Sequence, residues 1–131
     1  PDDALLKYNY AKLLTKTKNY KEANTLFNTL IALDSLNPNY HYELGVVLEK
    51  QNDSTALKEF IKTFDLDLTH QKAIFKIAKR CIVKRQFEKA HSYINKGLES
   101  YANNVELISL KAFTMKLRAV SFEKRVNGGL H

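Results

Sequence analysis

Four histidines and one cysteine are the side chains of this sequence best suited to ligate a metal or activate a nucleophile. His41, His70, His91 and His131 stand at no spacing, from each other or from a carboxylate, that is typical of a zinc site or a catalytic pair. Cys81 can form neither an internal disulfide nor a thiolate metal cluster within one chain. The four glycines are scattered or terminal and build no phosphate-binding loop. The sequence therefore predicts no enzyme activity, no cofactor and no metal site.

Basic residues are the second chemical feature, and they are concentrated in one segment. Residues 71–90 contain seven basic residues and one acidic residue, Glu88, in a chain whose net charge is +7. Lys72, Lys76 and Lys79 are three or four residues apart, a spacing that places them on one face of a helix. A face of this kind is either simply solvated or attracts acidic groups of a partner.

The composition is that of an ordinary folded domain. The 131 residues are 44% hydrophobic and 27% charged, and a compact chain of this size buries roughly two-thirds of its unfolded surface. No apolar run reaches the ~18 residues needed to cross a bilayer, so we predict no membrane insertion. The sequence begins at Pro1 without a leader, from which we expect that the natural N-terminus is missing, and it leaves the compartment open.

Small residues recur along the chain every 33 or 34 residues, in two series. A small residue lets two helices approach closely, and large residues one turn away fill the grooves beside the contact. The recurrence predicts a stack of antiparallel helix pairs, each of which buries its apolar face on the next. The first series is Ala11, Gly45, Ala78 and Ala112, and the second is Ala23, Ala56 and Ala90.

Caps and helix breakers divide the chain into helices, and no segment alternates for long enough to predict a strand. Asn37 followed by Pro38 begins a helix, and Asp53 with Ser54 does the same for the next one. The predicted helices span about residues 3–17, 20–34, 38–51, 54–67, 71–84, 87–101 and 105–118.

A five-residue sequence motif marks the start of the second helix in a pair. It reads NYKEA at residues 19–23 and QFEKA at 86–90, and it returns as SFEKR at 121–125. Arg125 cannot occupy the tight contact that alanine makes in the other copies, and two glycines follow shortly after. The sequence therefore predicts a last repeat that begins but is not completed, with residues 127–131 as a disordered tail.

The helix-turn-helix unit of about 34 residues resembles the tetratricopeptide repeat, most clearly at Leu44-Gly45 and at Ala56 with Phe60 in the second unit. No first helix contains the tryptophan of that family. The resemblance implies an all-α, right-handed superhelix of about three and a half helical hairpins. It implies a repeat domain over residues 1–126, with units at about 4–37, 38–70, 71–104 and 105–126.

The resemblance also implies a non-catalytic scaffold or adaptor, whose first helices line a concave groove for a peptide or helix of another protein. Aromatic residues on that face would anchor the partner, and lysines would steer its acidic groups. The alternative is that the rings only pack between neighbouring helices. The predicted groove residues are Tyr8, Lys12, Tyr42, Lys72, Phe75, Lys76 and Lys79.

Some tetratricopeptide modules hold the acidic tails of heat-shock chaperones with lysines and asparagines. Tyr8, Lys12 and Glu43 occupy three of those positions in this chain, and Glu43 would repel a carboxylate. We therefore predict that the chain does not clamp such tails in that manner, whereas other acidic peptides remain suitable partners.

Three further hypotheses follow from the sequence. The chain could be a structural segment of a longer repeat array, or, as a weaker alternative, a module that binds nucleic acid through its basic charge. It could also associate with itself through its C-terminal end, using Leu110, Phe113 and Leu117.

Overall fold

The computed structural model describes the backbone of residues 2–129 and the side chains of residues 3–129, and this range contains seven α-helices and no strand. This confirms the predicted all-α fold. The helices are α1 (Asp2–Lys16), α2 (Tyr20–Leu33), α3 (Pro38–Lys50), α4 (Ala56–Leu66), α5 (Gln71–Val83), α6 (Phe87–Ser100) and α7 (Val105–Gly129). They form two compact units, residues 1–73 and 74–131, and the boundary lies within α5.

A side-chain cap begins α3, and a turn held by a side chain precedes α4. Asn37 accepts a hydrogen bond from the backbone N–H of Asn39 at 3.0 Å, with Pro38 in the first helical position. The Asp53 carboxylate accepts hydrogen bonds from the hydroxyl and the N–H of Thr55. These bonds lower the pKa of Asp53 and hold residues 53–55 in a turn, so that α4 begins at Ala56, two residues later than predicted.

The first helix of each of the first three pairs ends in the same turn. Lys18, Asn52 and Arg85 all adopt left-handed backbone conformations, with φ of 67°, 57° and 60°. In the first turn, the N–H of Asn19 donates to the carbonyl of Leu14 at 2.8 Å, and the N–H of Lys18 donates to Thr15 at 3.2 Å. This is the Schellman pattern, which satisfies carbonyls at the end of a helix. The corresponding bonds of the other two turns end on Leu48 and Cys81, the repeat partners of Leu14.

Replacing Lys18 with glycine should stabilise the protein by roughly 0.5–1 kcal/mol. A residue with a β-carbon is strained in the left-handed region, and glycine is not. The strain that glycine removes exceeds the entropy that it adds to the unfolded chain. Asn52→Gly should gain less, because asparagine tolerates this conformation. Urea unfolding followed by circular dichroism measures the difference. Lys7→Gly, inside α1, is the matched control and should be destabilising.

The small residues of both series lie at buried helix contacts, except Ala112, which is exposed on α7, contrary to the prediction. Ala11 and Ala23 are fully buried in the first unit, and Ala78 and Ala90 are fully buried in the second. At Gly45 a β-carbon would stand 2.7 Å from Cε1 of Phe60, so the Phe60 ring packs directly on the backbone of α3. Glycine is therefore required at this position by contact and not by backbone conformation.

The last helix differs from the prediction. α7 runs unbroken for 25 residues through the predicted end at residue 118, so residues 121–125 do not begin a new helix. Ala119 stands four residues after Met115, at the repeat position where Lys18, Asn52 and Arg85 turn the chain, but here the helix continues. The predicted tail is wrong for residues 127–129, which are helical, and residues 130–131 lie outside the described range. The predicted unit boundaries remain predictions.

Candidate functional site

The two predicted groove tyrosines belong to the first unit, and their rings pack against neighbouring helices. The Tyr8 ring centroid lies 6.2 Å from that of Phe27 and 5.6 Å from that of Tyr40. Tyr42 lies 5.6 Å from Phe60 and 5.0 Å from the His70 ring. The ring bodies therefore stabilise the stack of helices, and only their half-buried outer edges remain for a ligand.

A lysine lies over the ring of the aromatic residue one turn before it in two helices. Nζ of Lys12 is 5.2 Å from the Tyr8 centroid in α1, and Nζ of Lys79 is 5.3 Å from the Phe75 centroid in α5. Both pairs have cation–π geometry at a spacing of four residues. The ammonium groups are thereby held at the surface of the first helices, where they can meet an acidic ligand.

Glu43 is a half-buried carboxylate in the first unit that feels the charge of three lysines. Burial raises the pKa of its carboxyl, and Lys12, Lys72 and Lys16 oppose that rise through their positive charges. Burial, with the nearby charge of Glu43 and the influence of Tyr40, raises the pKa of Tyr8 to about 12. The carboxylate, the phenol and the three lysines are thus electrostatically coupled. We call Tyr8, Lys12, Lys16, Glu43 and Lys72 the Glu43 patch.

The seven predicted groove residues divide between the two units. Tyr8, Lys12 and Lys72 meet in the Glu43 patch, while Tyr42 contributes mainly packing. In the second unit, Phe75 and Lys79 form their own pair on α5, and Lys76 is half-buried on the same helix. In the sequence, Glu43 stands out only as a mismatch to a family pattern. No repeat position links it to Lys12, Lys16 and Lys72, whose charges reach it only in the folded chain.

His41 and His70 serve the fold. His41 is buried, with Nδ1 3.1 Å from Oε2 of Glu59 and Nε2 2.8 Å from the carbonyl oxygen of Ser35, so it ties α3 to α4 and to the preceding loop. His70 accepts the backbone N–H of Ala73 at Nδ1. Among residues 3–129, no three His, Cys, Asp or Glu side chains are grouped so that they could hold a metal ion.

Cys81 is a core residue of the second unit and is 6% exposed. Burial raises the pKa of its thiol and outweighs the nearby positive charges of Lys89 and Lys84, which act in the opposite direction. The basic neighbours noted in the sequence therefore do not produce a reactive thiolate.

No protein-family model matches this sequence, and no curated protein matches it. Several solved structures, in contrast, match this chain in fold. The first tetratricopeptide repeat domain of Spaghetti (RPAP3), bound to the HSP90 peptide SRMEEVD, aligns with a TM-score of 0.77 at 18% identity, over 88% of this chain and 93% of that one. The chain has the tetratricopeptide repeat fold.

Two further tetratricopeptide-type structures agree with this result. The Yersinia enterocolitica type III secretion chaperone SycD, in complex with a peptide of the translocator YopD, aligns with a TM-score of 0.74 at 21% identity, over 95% of this chain and 96% of that one. The Sgt2 tetratricopeptide repeat domain from Aspergillus fumigatus aligns with a TM-score of 0.77 at 15% identity, over 95% and 83%.

In this tetratricopeptide repeat fold, α1, α3, α5 and α7 are the first helices of their hairpins, and the Glu43 patch is built from the first three of them. No helix within residues 2–129 is both long enough and apolar enough to cross a membrane.

Proposed function

We propose that this chain is a non-catalytic interaction adaptor that binds an acidic peptide segment of another protein on its first helices. The observation that carries the proposal is the Glu43 patch, in which Lys12, Lys16 and Lys72 act on a single half-buried carboxylate. Three lysines whose charges reach one carboxylate leave an excess of positive charge, which a peptide carboxylate can neutralise.

The patch also offers a hydrogen-bond donor. The Tyr8 hydroxyl, like any tyrosine with a pKa of about 10 or above, keeps its proton at neutral pH and can donate it to an acidic oxygen. Lysine charge and a phenol donor together suit a carboxylate better than a cation or an apolar group. Two of the similar structures, RPAP3 and SycD, are bound to peptides, which supports the same use of this fold here.

The second unit supports the proposal independently. Phe75 carries Lys79 over its ring, and Lys76 lies on the same helix. This pairing of an aromatic ring with lysines repeats the arrangement of Tyr8 and Lys12 in the first unit. We propose that Phe75, Lys76 and Lys79 also contact the acidic partner, and that Tyr42 supports the site through packing.

Binding of a fluorescein-labelled SRMEEVD peptide, used as an acidic probe, tests the proposal by fluorescence anisotropy at low salt. We expect weak, saturable binding that the paired substitution Lys12→Ser with Lys72→Ser reduces about tenfold, through the loss of two charges. The second-unit pair Lys76→Ser with Lys79→Ser should also reduce it. Lys58→Ser with Lys62→Ser, two exposed lysines on α4, is the matched control and should leave the affinity unchanged.

Two outcomes contradict the proposal. The first is that the control substitutions at Lys58 and Lys62 weaken binding of the probe as much as those at Lys12 and Lys72 do, which would show a non-specific effect of net charge. The second is that a labelled dT12 oligonucleotide binds while the peptide does not, which would assign the basic residues to nucleic acid.

A further inference from the structure

Helix α7 has two apolar faces, and the structure covers only one of them. Leu107 and Thr114 are fully buried where α7 packs against α6. On the other side, six apolar residues follow one another at spacings of four, three, four, three and four, the pattern of a coiled-coil seam. We call them the α7 stripe: Ile108, Ala112, Met115, Ala119, Phe122 and Val126.

All six residues of the α7 stripe are exposed. Phe122 is 60% exposed and Met115 is 54% exposed, values far above those of core residues in the same unit. Beside the stripe lies an open groove of about 740 Å³, whose opposite wall is formed by Arg85, Phe87 and Glu88 at the start of α6. An apolar row of this length along an open groove marks an interaction surface and not isolated exposed residues.

We propose that a second copy of this chain covers the α7 stripe, with the two α7 helices packed antiparallel about a two-fold axis. The occupant is indicated by the order of large and small residues. When the two-fold axis lies level with residue 117, each residue of the seam faces the residue of the other copy that is equally far from 117 on the opposite side. The layers are Ile108 with Val126, Ala112 with Phe122, and Met115 with Ala119, each occurring twice.

This register places each alanine opposite a large side chain. Phe122 of one copy fills the space over Ala112 of the other, and Met115 fills the space over Ala119. A parallel pair in register would instead set alanine on alanine and phenylalanine on phenylalanine, leaving voids in some layers and crowding in others. A surface complementary to itself in only one orientation is what a two-fold interface requires.

The area of the stripe sets the strength of the pairing. Four large and two small apolar residues on each copy bury on the order of 1,000 Å² in total, which is the lower end for specific interfaces. The dimer should therefore form reversibly and depend on protein concentration. It differs from the C-terminal surface predicted from the sequence, because Leu110 and Leu117 are half-buried toward α6 and only Phe113 is exposed.

Charges beside the stripe give the pairing a characteristic response to salt. On the groove side, Arg118 forms an ion pair with Glu88 at 3.0 Å, so the two arginines that meet near the axis are each partly neutralised. On the other side, Lys116 of one copy faces Lys116 of the second copy without a carboxylate in the same layer. Added salt screens this repulsion, so the dimer should become stronger as salt rises.

Sedimentation equilibrium of the full 131-residue chain tests the proposal. We expect a monomer–dimer equilibrium that shifts toward dimer with salt, and a loss of dimer of at least tenfold in Ala119→Glu and in Phe122→Glu. Phe113→Glu is the matched control, since Phe113 is 52% exposed on α7 but lies off the stripe. Circular dichroism checks that each variant keeps its helix content, and only variants that do are compared.

Disulfide cross-linking tests the register. Met115→Cys and Ala119→Cys are made separately and then mixed under air oxidation with a copper catalyst. The antiparallel register predicts that the mixture forms cross-linked dimers faster than either variant alone, and that the unaltered chain, whose Cys81 is buried, forms none. A chain that stays monomeric at all salt concentrations, or a dimer unaffected by Phe122→Glu, overturns the proposal. Faster cross-linking within either variant alone also overturns it.

Discussion

Replacing Gly45 with glutamate should unfold the first unit of this protein. The new β-carbon would stand 2.7 Å from the Phe60 ring, so α3 and α4 would have to separate, and the carboxylate would be buried without a partner. Overpacking together with an unpaired buried charge costs roughly 4 kcal/mol or more. That is a large part of the ~5–15 kcal/mol that stabilises a typical domain.

Thermal and urea unfolding measured by circular dichroism check this prediction. Lys62→Glu adds a carboxylate at an exposed position in the middle of α4, away from the helix ends, and is the matched control, expected to change stability by less than about 0.5 kcal/mol. Gly45→Ala separates the two causes, because it adds the β-carbon without the charge and should cost about 1 kcal/mol. A stable, fully helical Gly45→Glu variant would show that Phe60 moves away freely, contrary to the packing described.

Replacing Glu43 with glutamine should strengthen the binding of an acidic peptide about tenfold, which corresponds to about 1.4 kcal/mol. The substitution removes the single negative charge in the Glu43 patch and releases Lys12, Lys16 and Lys72 to act on the ligand. It keeps the size and shape of the side chain, so packing should not change. Anisotropy with the SRMEEVD probe measures the affinity, and Glu49→Gln, an exposed carboxylate on the same helix, is the control.

The raised pKa of Glu43 gives this prediction a signature in pH. As pH falls from neutral toward the raised pKa, Glu43 takes up a proton while most carboxylates of the peptide, with ordinary pKa values of about 4, remain ionised. Binding by the natural chain should therefore strengthen toward mildly acidic pH and approach that of Glu43→Gln, whose own affinity should change little. If glutamine weakens binding, the carboxylate itself contacts the ligand and the charge argument is wrong.

The raised pKa of Glu43 also predicts how the stability of the chain without peptide depends on pH. A carboxyl whose pKa is higher in the folded than in the unfolded state stabilises the fold below its ordinary pKa, 4.5, and loses that contribution as pH rises through the folded value. Without peptide, Glu43→Gln should thus be the more stable chain at neutral pH. The difference should disappear in acid.

Periodicity was sufficient to predict the hairpins. The small residues at intervals of 33 and 34, apart from the exposed Ala112, fall at buried helix contacts in both units. The turns after the first three first helices return their hydrogen bonds to Leu14, Leu48 and Cys81, as the repeat requires. These features depend on local spacing, which the sequence displays directly. Helix starts were less exact where a side chain, such as Asp53, forms a turn of its own.

Repeat spacing alone could not predict where α7 ends or which charges surround Glu43. The motif at residues 121–125 predicts a new helix, whereas α7 runs through it without a break. Glu43 gains its importance from Lys12, Lys16 and Lys72, which lie on two other helices and come near it only after folding. The charge of such a patch depends on the tertiary structure, whereas repeat spacing can be seen directly in the sequence.

The three left-handed turns also bear on how quickly the chain finds its fold. Each one connects two helices through a few residues, so the contacts of a hairpin join segments that are close in sequence. Closing such short loops costs little chain entropy, and proteins dominated by local contacts fold in microseconds to milliseconds. During synthesis, the hairpin of α1 and α2 can therefore form while the residues of α7 are still being added.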